Sequence, residues 1–220
     1  MQAIFETGFD ILYLYTVLLF GVWMLRQANG RRVFTLFGWM AVVLGCGDAF
    51  HLVPRAIALC TNGLEAHAAA LGFGKLVTSL TMTVFYVLLY HVWRSRYRIS
   101  GRKGLSATVY SLALLRAALC LFPQNRWFDA HPPLLWGVLR NLPFAVLGVL
   151  ILVLFHREAR RTRDPAFRWM WLAVAVSFAC YIPVVLFADT VPLVGMLMIP
   201  KTVAYVWIVW MGLDACRRER

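Results

Sequence analysis

The side chains of this chain that could do chemistry are ionisable groups embedded in long apolar stretches. In the stretch GCGDAFHLVPR, Asp48, His51 and Arg55 follow one another at steps of three and four residues, so a helix would carry all three on one face. A histidine that a carboxylate orients can act as a general base. Asp48 and His51 are therefore candidate catalytic residues.

The other candidates are mostly cations. Five lysines and arginines interrupt apolar runs, and the carboxylate of Asp48 lies among them. A charge at membrane depth costs roughly 2.5–3.5 kcal/mol on insertion scales and needs a partner. Arginines near a span end can reach the interface and a buried lysine can lose its proton, but an anionic ligand would also balance the charge. We predict a site for an anionic small molecule or lipid headgroup, with the candidate ligand-binding residues Arg55, Lys75, Ser79, Arg116, Arg140, Asn141, Tyr181 and Lys201.

An internal ion pair is the simplest alternative to a ligand. Lys75, Ser79 and Thr83 are spaced i, i+4 and i+8, so they form a second polar stripe that could face the stripe of Asp48. This arrangement would pair Asp48 with Lys75 and leave His51 as a hydrogen-bonded neighbour.

The elements that must position these residues are long and apolar. Hydrophobic residues make up 61% of the 220-residue chain and charged residues only 15%, which excludes an ordinary soluble domain. A hydrocarbon core of about 30 Å needs roughly 20 helical residues. We predict an all-α polytopic membrane helix bundle, a single domain over 1–220, with seven transmembrane helices near 8–26, 33–54, 70–93, 105–122, 134–156, 168–188 and 191–213.

Basic residues in the linkers predict the orientation. The net charge of +12 would suggest a nucleic-acid partner in a soluble protein, but 16 of the 22 lysines and arginines lie in alternate linkers and the C-terminal tail. Because basic linkers stay in the cytoplasm, we expect the N-terminus outside, the C-terminus in the cytoplasm, and no nucleic acid. This topology puts the candidate residues in the outer half of the membrane, with Lys201 near the midplane.

Two phrases in the sequence resemble a known group of proteins. GDAFHLVPR and GKLVTSLTMTVFYVLLYH are similar to segments of uncharacterised bacterial seven-span membrane proteins with a GDxFHLxPR-like motif. The resemblance covers most of the second and third spans. It implies the bacterial inner membrane as the location and supplies no function.

The chain also resembles microbial rhodopsins, in its seven spans, its N-out orientation, YIPVV in the sixth span and Lys201 in the seventh. This resemblance implies a Schiff base between Lys201 and retinal. Those proteins place carboxylates where this chain has Leu197 and Lys75, which departs from their pattern. Retinal binding is therefore kept as an alternative, and no cofactor is predicted.

Two further functions and several partners remain open. Asp48 and His51 could serve a membrane-embedded lipid-modifying enzyme, and together with Lys201 they could titrate in a proton-coupled transporter. Membrane lipid is the expected partner. The arginine-rich inner loops could bind anionic lipid, a cytoplasmic protein, or a second copy of the chain in a homo-oligomer.

The five cysteines show no spacing typical of a zinc site or a redox pair, and among the histidines only His51 lies well inside a span, so no metal site is predicted. Cys60 and Cys120 both lie near the predicted outer face. They could form a disulfide there.

Overall fold

The computed structural model describes residues 2–61, 63–129, 131–188 and 190–219. These residues form an all-α bundle with seven helices long and apolar enough to cross a membrane, so the chain is a polytopic membrane protein. The helices are α1 (Gln2–Gln27), α2 (Arg32–Cys60), α3 (Ala68–Arg96), α4 (Lys103–Leu121), α5 (Leu134–Thr162), α6 (Met170–Phe187) and α7 (Met198–Arg218). Short 3₁₀ helices in the connections cover Glu65–His67, Pro123–Asn125 and Pro192–Leu197.

Each of the seven predicted spans overlaps one helix. The second span differs from its helix at the end, and the seventh differs at the start. Helix α2 continues past the predicted end at residue 54 to Cys60, with Pro54 inside it. The seventh predicted span starts near residue 191, and the apolar span in the structure covers Leu193–Arg218; its first residues belong to the tighter 3₁₀ helix Pro192–Leu197. Lys201 consequently lies in the first turn of α7.

Helices that follow one another in the chain pack together, and α1 also packs against α7, which closes the bundle. Helix α3 contacts α2, α4 and α5 and so lies at the centre. Its aromatic side chains Phe85, Tyr86, Tyr90 and Trp93 are fully buried. Apolar side chains on the outside, such as Leu114 of α4, are exposed where hydrocarbon would cover them.

We call the end with the connections 61–67, 122–133 and 188–197 the predicted outer end, and the opposite end the predicted cytoplasmic end. At the latter, the Arg96 guanidinium donates to both carboxylate oxygens of Asp164, at 2.9 and 3.1 Å, and pairs with Glu219. Arg31 donates to the Glu219 carbonyl oxygen at 2.7 Å. These contacts tie the ends of α3 and α7 to the 28–31 and 163–169 connections.

Two glycines let the backbones near the predicted outer end approach closely. A Cβ at Gly74 would overlap the backbone of Phe50, so α3 lies directly against α2 there. A Cβ at Gly72 would overlap the carbonyl oxygen of Trp127 in the connection after α4. The Thr78 hydroxyl also donates to the Gly47 carbonyl oxygen at 3.1 Å, which holds α2 and α3 in register.

Replacing Gly72 with alanine is expected to destabilise the fold by about 1–3 kcal/mol, because the new methyl group meets a carbonyl oxygen of the backbone rather than a flexible side chain. The thermal unfolding midpoint of the purified protein in detergent measures the effect. Gly104→Ala is the matched control, because nothing lies within 4 Å of the new Cβ. An equal midpoint for both variants would contradict the close approach of Gly72 to Trp127.

The cysteines are unbonded, so the predicted disulfide between Cys60 and Cys120 is wrong. Cys60 is exposed at the end of α2, whereas Cys120 is buried at the end of α4. The two residues share a predicted depth, but Cys60 lies on the surface and Cys120 in the interior.

Candidate functional site

The candidate site begins with the carboxylate of Asp48, which α2 turns toward α1 and α7. The Tyr13 hydroxyl of α1 donates to Asp48 Oδ2 at 2.6 Å. The charge that interacts with this carboxylate is Lys201 of α7. The predicted ion pair of Asp48 with Lys75 is therefore wrong, since Asp48 points away from that side of α3.

The ammonium group of Lys201 is buried, with 9% of the residue exposed. It lies 5.0 Å from the ring centroid of Tyr181 and 5.4 Å from that of Tyr205. Both distances are within the range of a cation–π interaction. Among the described residues no direct ion pair of Lys201 is found, so the ammonium group relies on these rings and on the nearby Asp48 charge.

Arg116 of α4 is the second buried cation, with 2% of the residue exposed. Its guanidinium carbon lies 3.3 Å from the ring centroid of Phe144, and the group is close enough to Lys201 for their charges to repel. Within the part of the chain that the structure describes, Nε and Nη1 of Arg116 have no hydrogen-bond partner. Buried guanidinium nitrogens without an acceptor are costly, since they lose their hydrogen bonds to water and gain none in the protein.

The Tyr181 ring beside Lys201 is held in place by a hydrogen bond to the neighbouring helix α5. The Tyr181 hydroxyl of α6 donates to Asn141 Oδ1 of α5 at 2.9 Å. Asn141 Nδ2 in turn donates to the Gly137 carbonyl oxygen of its own helix at 2.8 Å. The predicted residues Asn141 and Tyr181 thus lie together and orient each other.

Arg140 lies nearby but has partners of its own. Its Nη1 donates to Asn125 Oδ1 at 2.9 Å, and its guanidinium lies 4.1 Å from the ring centroid of Trp127. Asn125 Nδ2 donates to backbone carbonyl oxygens of α4 and the turn that follows it, at Leu119, Cys120 and Phe122. Arg140 therefore holds the 122–129 connection in place, and its guanidinium is better satisfied than that of Arg116.

Four polar residues near Asp48 and the buried cations were not predicted from the sequence. Tyr86 and Ser177 lie with their hydroxyl oxygens 3.4 Å apart, and the Tyr205 hydroxyl interacts with both. Tyr13 holds Asp48. Tyrosine is common in membrane helices, so only the burial of Tyr13, Tyr86 and Tyr205 in the core distinguishes them, and burial is not visible in one sequence.

The remaining predicted residues lie apart from this cluster. Arg55 pairs with Glu6 of α1 at 2.8 Å, and Lys75 is exposed on α3. Ser79 donates its hydroxyl to the Lys75 carbonyl oxygen one turn back, at 2.7 Å. The structure therefore does not bring Arg55, Lys75 or Ser79 to Arg116 and Lys201.

The Asp48–His51 dyad, on which the lipid-modifying hypothesis depends, is not formed. The hydrogen bond of Asp48 is made with Tyr13, and among the described residues His51 Nδ1 has no partner. His51 interacts instead with the Leu71 backbone and the Lys75 charge. Asp48 and His51 share a face of α2, but the carboxylate does not orient the imidazole in this structure.

Two surface cavities of the bundle lie away from this cluster. They measure about 250 Å³ and 400 Å³ and are lined by residues at the predicted cytoplasmic end. Neither is lined by Arg116 or Lys201. Across the ranges that the structure describes, no group of three His, Cys, Asp or Glu side chains is placed to hold a metal ion.

The arrangement brings two buried cations and one carboxylate close together. Asp48 lies near Lys201, the rings of Phe144, Tyr181 and Tyr205 surround the two cations, and Arg116 offers unsatisfied donors. We call Tyr13, Asp48, Arg116, Tyr181, Lys201 and Tyr205 the interior charge cluster.

Comparisons with protein-family models, curated proteins and solved structures found no significant match to this chain. The seven helices agree with the predicted likeness to bacterial seven-span membrane proteins in span number. Membership of that group remains a prediction, as do the orientation and the particular membrane.

Proposed function

We propose that the protein binds an anionic small molecule or lipid headgroup in the interior of its bundle, with Arg116 and Lys201 as the residues that contact the anion. The observation that carries this proposal is Arg116, which is 2% exposed and has two guanidinium nitrogens without an acceptor among the described residues. An oxyanion would supply those acceptors. Hydrogen bonds between charged groups are roughly twice as strong as neutral ones, so the gain from filling this position is large.

The charge balance of the interior charge cluster supports the same proposal. Arg116 and Lys201 contribute two positive charges, and Asp48 contributes one negative charge. The ring of Phe144 lowers the cost of the guanidinium through a cation–π interaction of about 2 kcal/mol. The effective penalty of burying an ion is several kcal/mol, so the ring alone does not balance it. One further negative charge would balance the two buried cations.

Each residue of the cluster has a part in this proposal. Arg116 and Lys201 bind the anion. Asp48, held by Tyr13, fixes the ammonium group of Lys201 without occupying Arg116. Tyr181 supplies a wall beside Lys201. In the predicted topology the cluster lies in the outer half of the membrane, where a lipid headgroup or an external solute could reach it.

The aromatic surroundings favour a ligand with an apolar part. Phe144, Phe178 and Tyr181 form edge-to-face and tilted ring pairs close to Arg116. An anionic headgroup that carries an acyl chain would place its charge between the cations and its chain against such rings or the surrounding lipid. Lys75, which the sequence included in the site, has no part in this proposal because it is exposed on another side of α3.

The test is a binding titration on the full-length protein in neutral detergent. The probes are oleate, dioleoyl phosphatidate and inorganic phosphate, with oleyl alcohol as an uncharged comparator and dioleoyl phosphatidylcholine as a zwitterionic one. Arg116→Met and Lys201→Met are each expected to weaken binding of the anionic probe at least about tenfold, which corresponds to 1.4 kcal/mol. Arg126→Met is the matched control, because Arg126 is exposed and pairs with Asp129 at the same end of the bundle.

The outcomes separate the proposal from its competitors. Selective binding of an anionic probe that both buried-cation variants lose and the control keeps supports it. Unchanged binding in folded Arg116→Met protein overturns it. Retinal is the other ligand that a buried Lys201 with Asp48 nearby could accept, so a visible absorption band after addition of all-trans-retinal, lost in Lys201→Met, would assign the site to a Schiff base instead.

A further inference from the structure

A crevice at the predicted cytoplasmic end carries a second, separate inference. It lies between α3, the 97–102 connection and α5, has a volume of about 250 Å³, and is walled on one side by Trp93, Ile99 and Leu154. The indole of Trp93 is fully buried and donates to the Leu154 carbonyl oxygen at 3.2 Å. The apolar wall is therefore rigid and continuous with the membrane-crossing part of the two helices.

The other side of the crevice is charged. It is formed by Arg102 before α4 and by Arg157, Glu158 and Arg161 near the end of α5. Glu158 is 8% exposed and accepts from Arg161 Nε at 2.8 Å, so these two charges balance. The guanidinium groups of Arg102 and Arg157 are exposed, and the described residues supply neither of them with a hydrogen bond or ion pair, so both remain accessible to a ligand at the crevice.

The backbone at Arg102 has a conformation that favours glycine. Its φ is 51°, in the left-handed region, where an L-residue other than glycine costs roughly 1–2 kcal/mol. The preceding residue, Gly101, has φ 71°. The chain thus carries an arginine at a position where glycine would be less strained, and the side chain of that arginine lines the crevice.

We propose that this crevice binds the phosphate group of an anionic membrane lipid, with Arg102 and Arg157 as its ligands. Arginine matches phosphate oxygens geometrically, and basic pockets between membrane helices hold anionic headgroups. A volume of about 250 Å³ is smaller than the roughly 300–1,000 Å³ of pockets that enclose a whole small molecule. A headgroup would fill it while the acyl chains lie outside along α3 and α5.

This site is independent of the interior charge cluster. Arg157 lies 17 residues beyond Arg140 on α5, which is about 25 Å along a helix. None of the residues that line the crevice belongs to the interior charge cluster. Dioleoyl phosphatidate could occupy either site, so a loss of binding is assigned by the variant that causes it: Arg116→Met or Lys201→Met for the interior charge cluster, and the double variant at Arg102 and Arg157 for the crevice.

The test is native mass spectrometry of the full-length protein in neutral detergent, titrated with dioleoyl phosphatidate and, separately, with dioleoyl phosphatidylcholine. Neutral micelles remove the surface potential of a charged bilayer, so the loss of two charges by itself has little effect. The double variant Arg102→Gln, Arg157→Gln is expected to bind phosphatidate at least about tenfold more weakly than the parent.

A second double variant, Arg160→Gln with Arg163→Gln, is the matched control. It removes the same charge from the same end, both arginines are exposed, and Arg163 shares the left-handed backbone of Arg102 with φ 52°. Affinity within about twofold of the parent is expected for the control. Equal losses in both double variants, no loss in either, or displacement of the lipid by millimolar inorganic phosphate would overturn the proposal of a built site for a lipid phosphate.

Discussion

Arg116→Met is expected to raise the thermal unfolding midpoint of the ligand-free protein while it removes anion binding. The guanidinium lies in the core with two nitrogens that have no acceptor among the described residues, and its main compensation is the ring of Phe144. A methionine of similar length keeps the apolar contact with Phe144 and removes the buried charge. Replacing buried ionic groups with apolar side chains of similar volume is often neutral or stabilising by about 1–4 kcal/mol.

The control for this effect is Arg126→Met at the same end of the bundle, where the side chain is exposed and the midpoint should change little. The comparison is made on lipid-depleted protein in neutral detergent, by differential scanning fluorimetry with and without the anionic probe. A midpoint several degrees below the parent for Arg116→Met would contradict the prediction. It would mean that Arg116 stabilises the fold as it stands and needs no ligand.

A higher unfolding midpoint together with lost anion binding would show that Arg116 serves ligand binding and not folding. A side chain that destabilises the empty protein and is required for its ligand is retained for function rather than for folding. The same reasoning separates Arg116 from Arg140. Arg140 is bound to Asn125 and lies over Trp127, so its replacement is expected to loosen the 122–129 connection.

The spans were predictable because each helix must cover the hydrocarbon core with about 20 apolar residues, and composition alone records that requirement. The ends were less predictable. Helix α2 runs on through Pro54 to Cys60, and the start of the seventh span is wound as the 3₁₀ helix Pro192–Leu197. Both features depend on local backbone geometry to which a hydropathy window is insensitive.

The depth of a side chain along its helix follows from counting residues, but its direction around the helix does not. A membrane helix that is apolar on all sides lacks the polar face that would indicate its rotation. Asp48 was therefore expected to face Lys75 on the next helix, and it faces Tyr13 and Lys201 instead. Lys75 and Arg116 both lie in the predicted outer half, but Lys75 is exposed whereas Arg116 is buried.

The rotation of α2 also decides which chemistry the protein can support. With Asp48 directed at α1 and α7, its carboxylate balances Lys201 and leaves His51 without the acidic partner that a general base would need. The geometry therefore favours binding over acid–base catalysis. It also makes Asp48 the residue on which the charge balance of the interior charge cluster depends.

Asp48→Asn is accordingly expected to destabilise the protein strongly, by about 3 kcal/mol. The amide keeps the shape of the side chain and can still accept the hydrogen bond of Tyr13, so the change isolates the charge. Without the carboxylate, the buried Lys201 loses the negative charge near it and keeps the repulsion of Arg116. Removing one partner of a buried charge pair costs about 3–5 kcal/mol, and the lower end applies because Asp48 is only partly buried and makes no direct ion pair with Lys201 among the described residues.

A double-mutant cycle with Lys201→Met tests whether the loss comes from that pair. Lys201→Met alone leaves a carboxylate in the core that only Tyr13 satisfies, so it should also destabilise. The double variant Asp48→Asn, Lys201→Met removes both charges, and its unfolding midpoint should lie above that of either single variant. Gln27→Asn with Thr108→Val, at the predicted cytoplasmic ends of α1 and α4 and several turns from the cluster, should show additive effects in the same assay. If the losses from Asp48→Asn and Lys201→Met simply add, the two side chains do not depend on each other, and Asp48 must stabilise the bundle through Tyr13 alone.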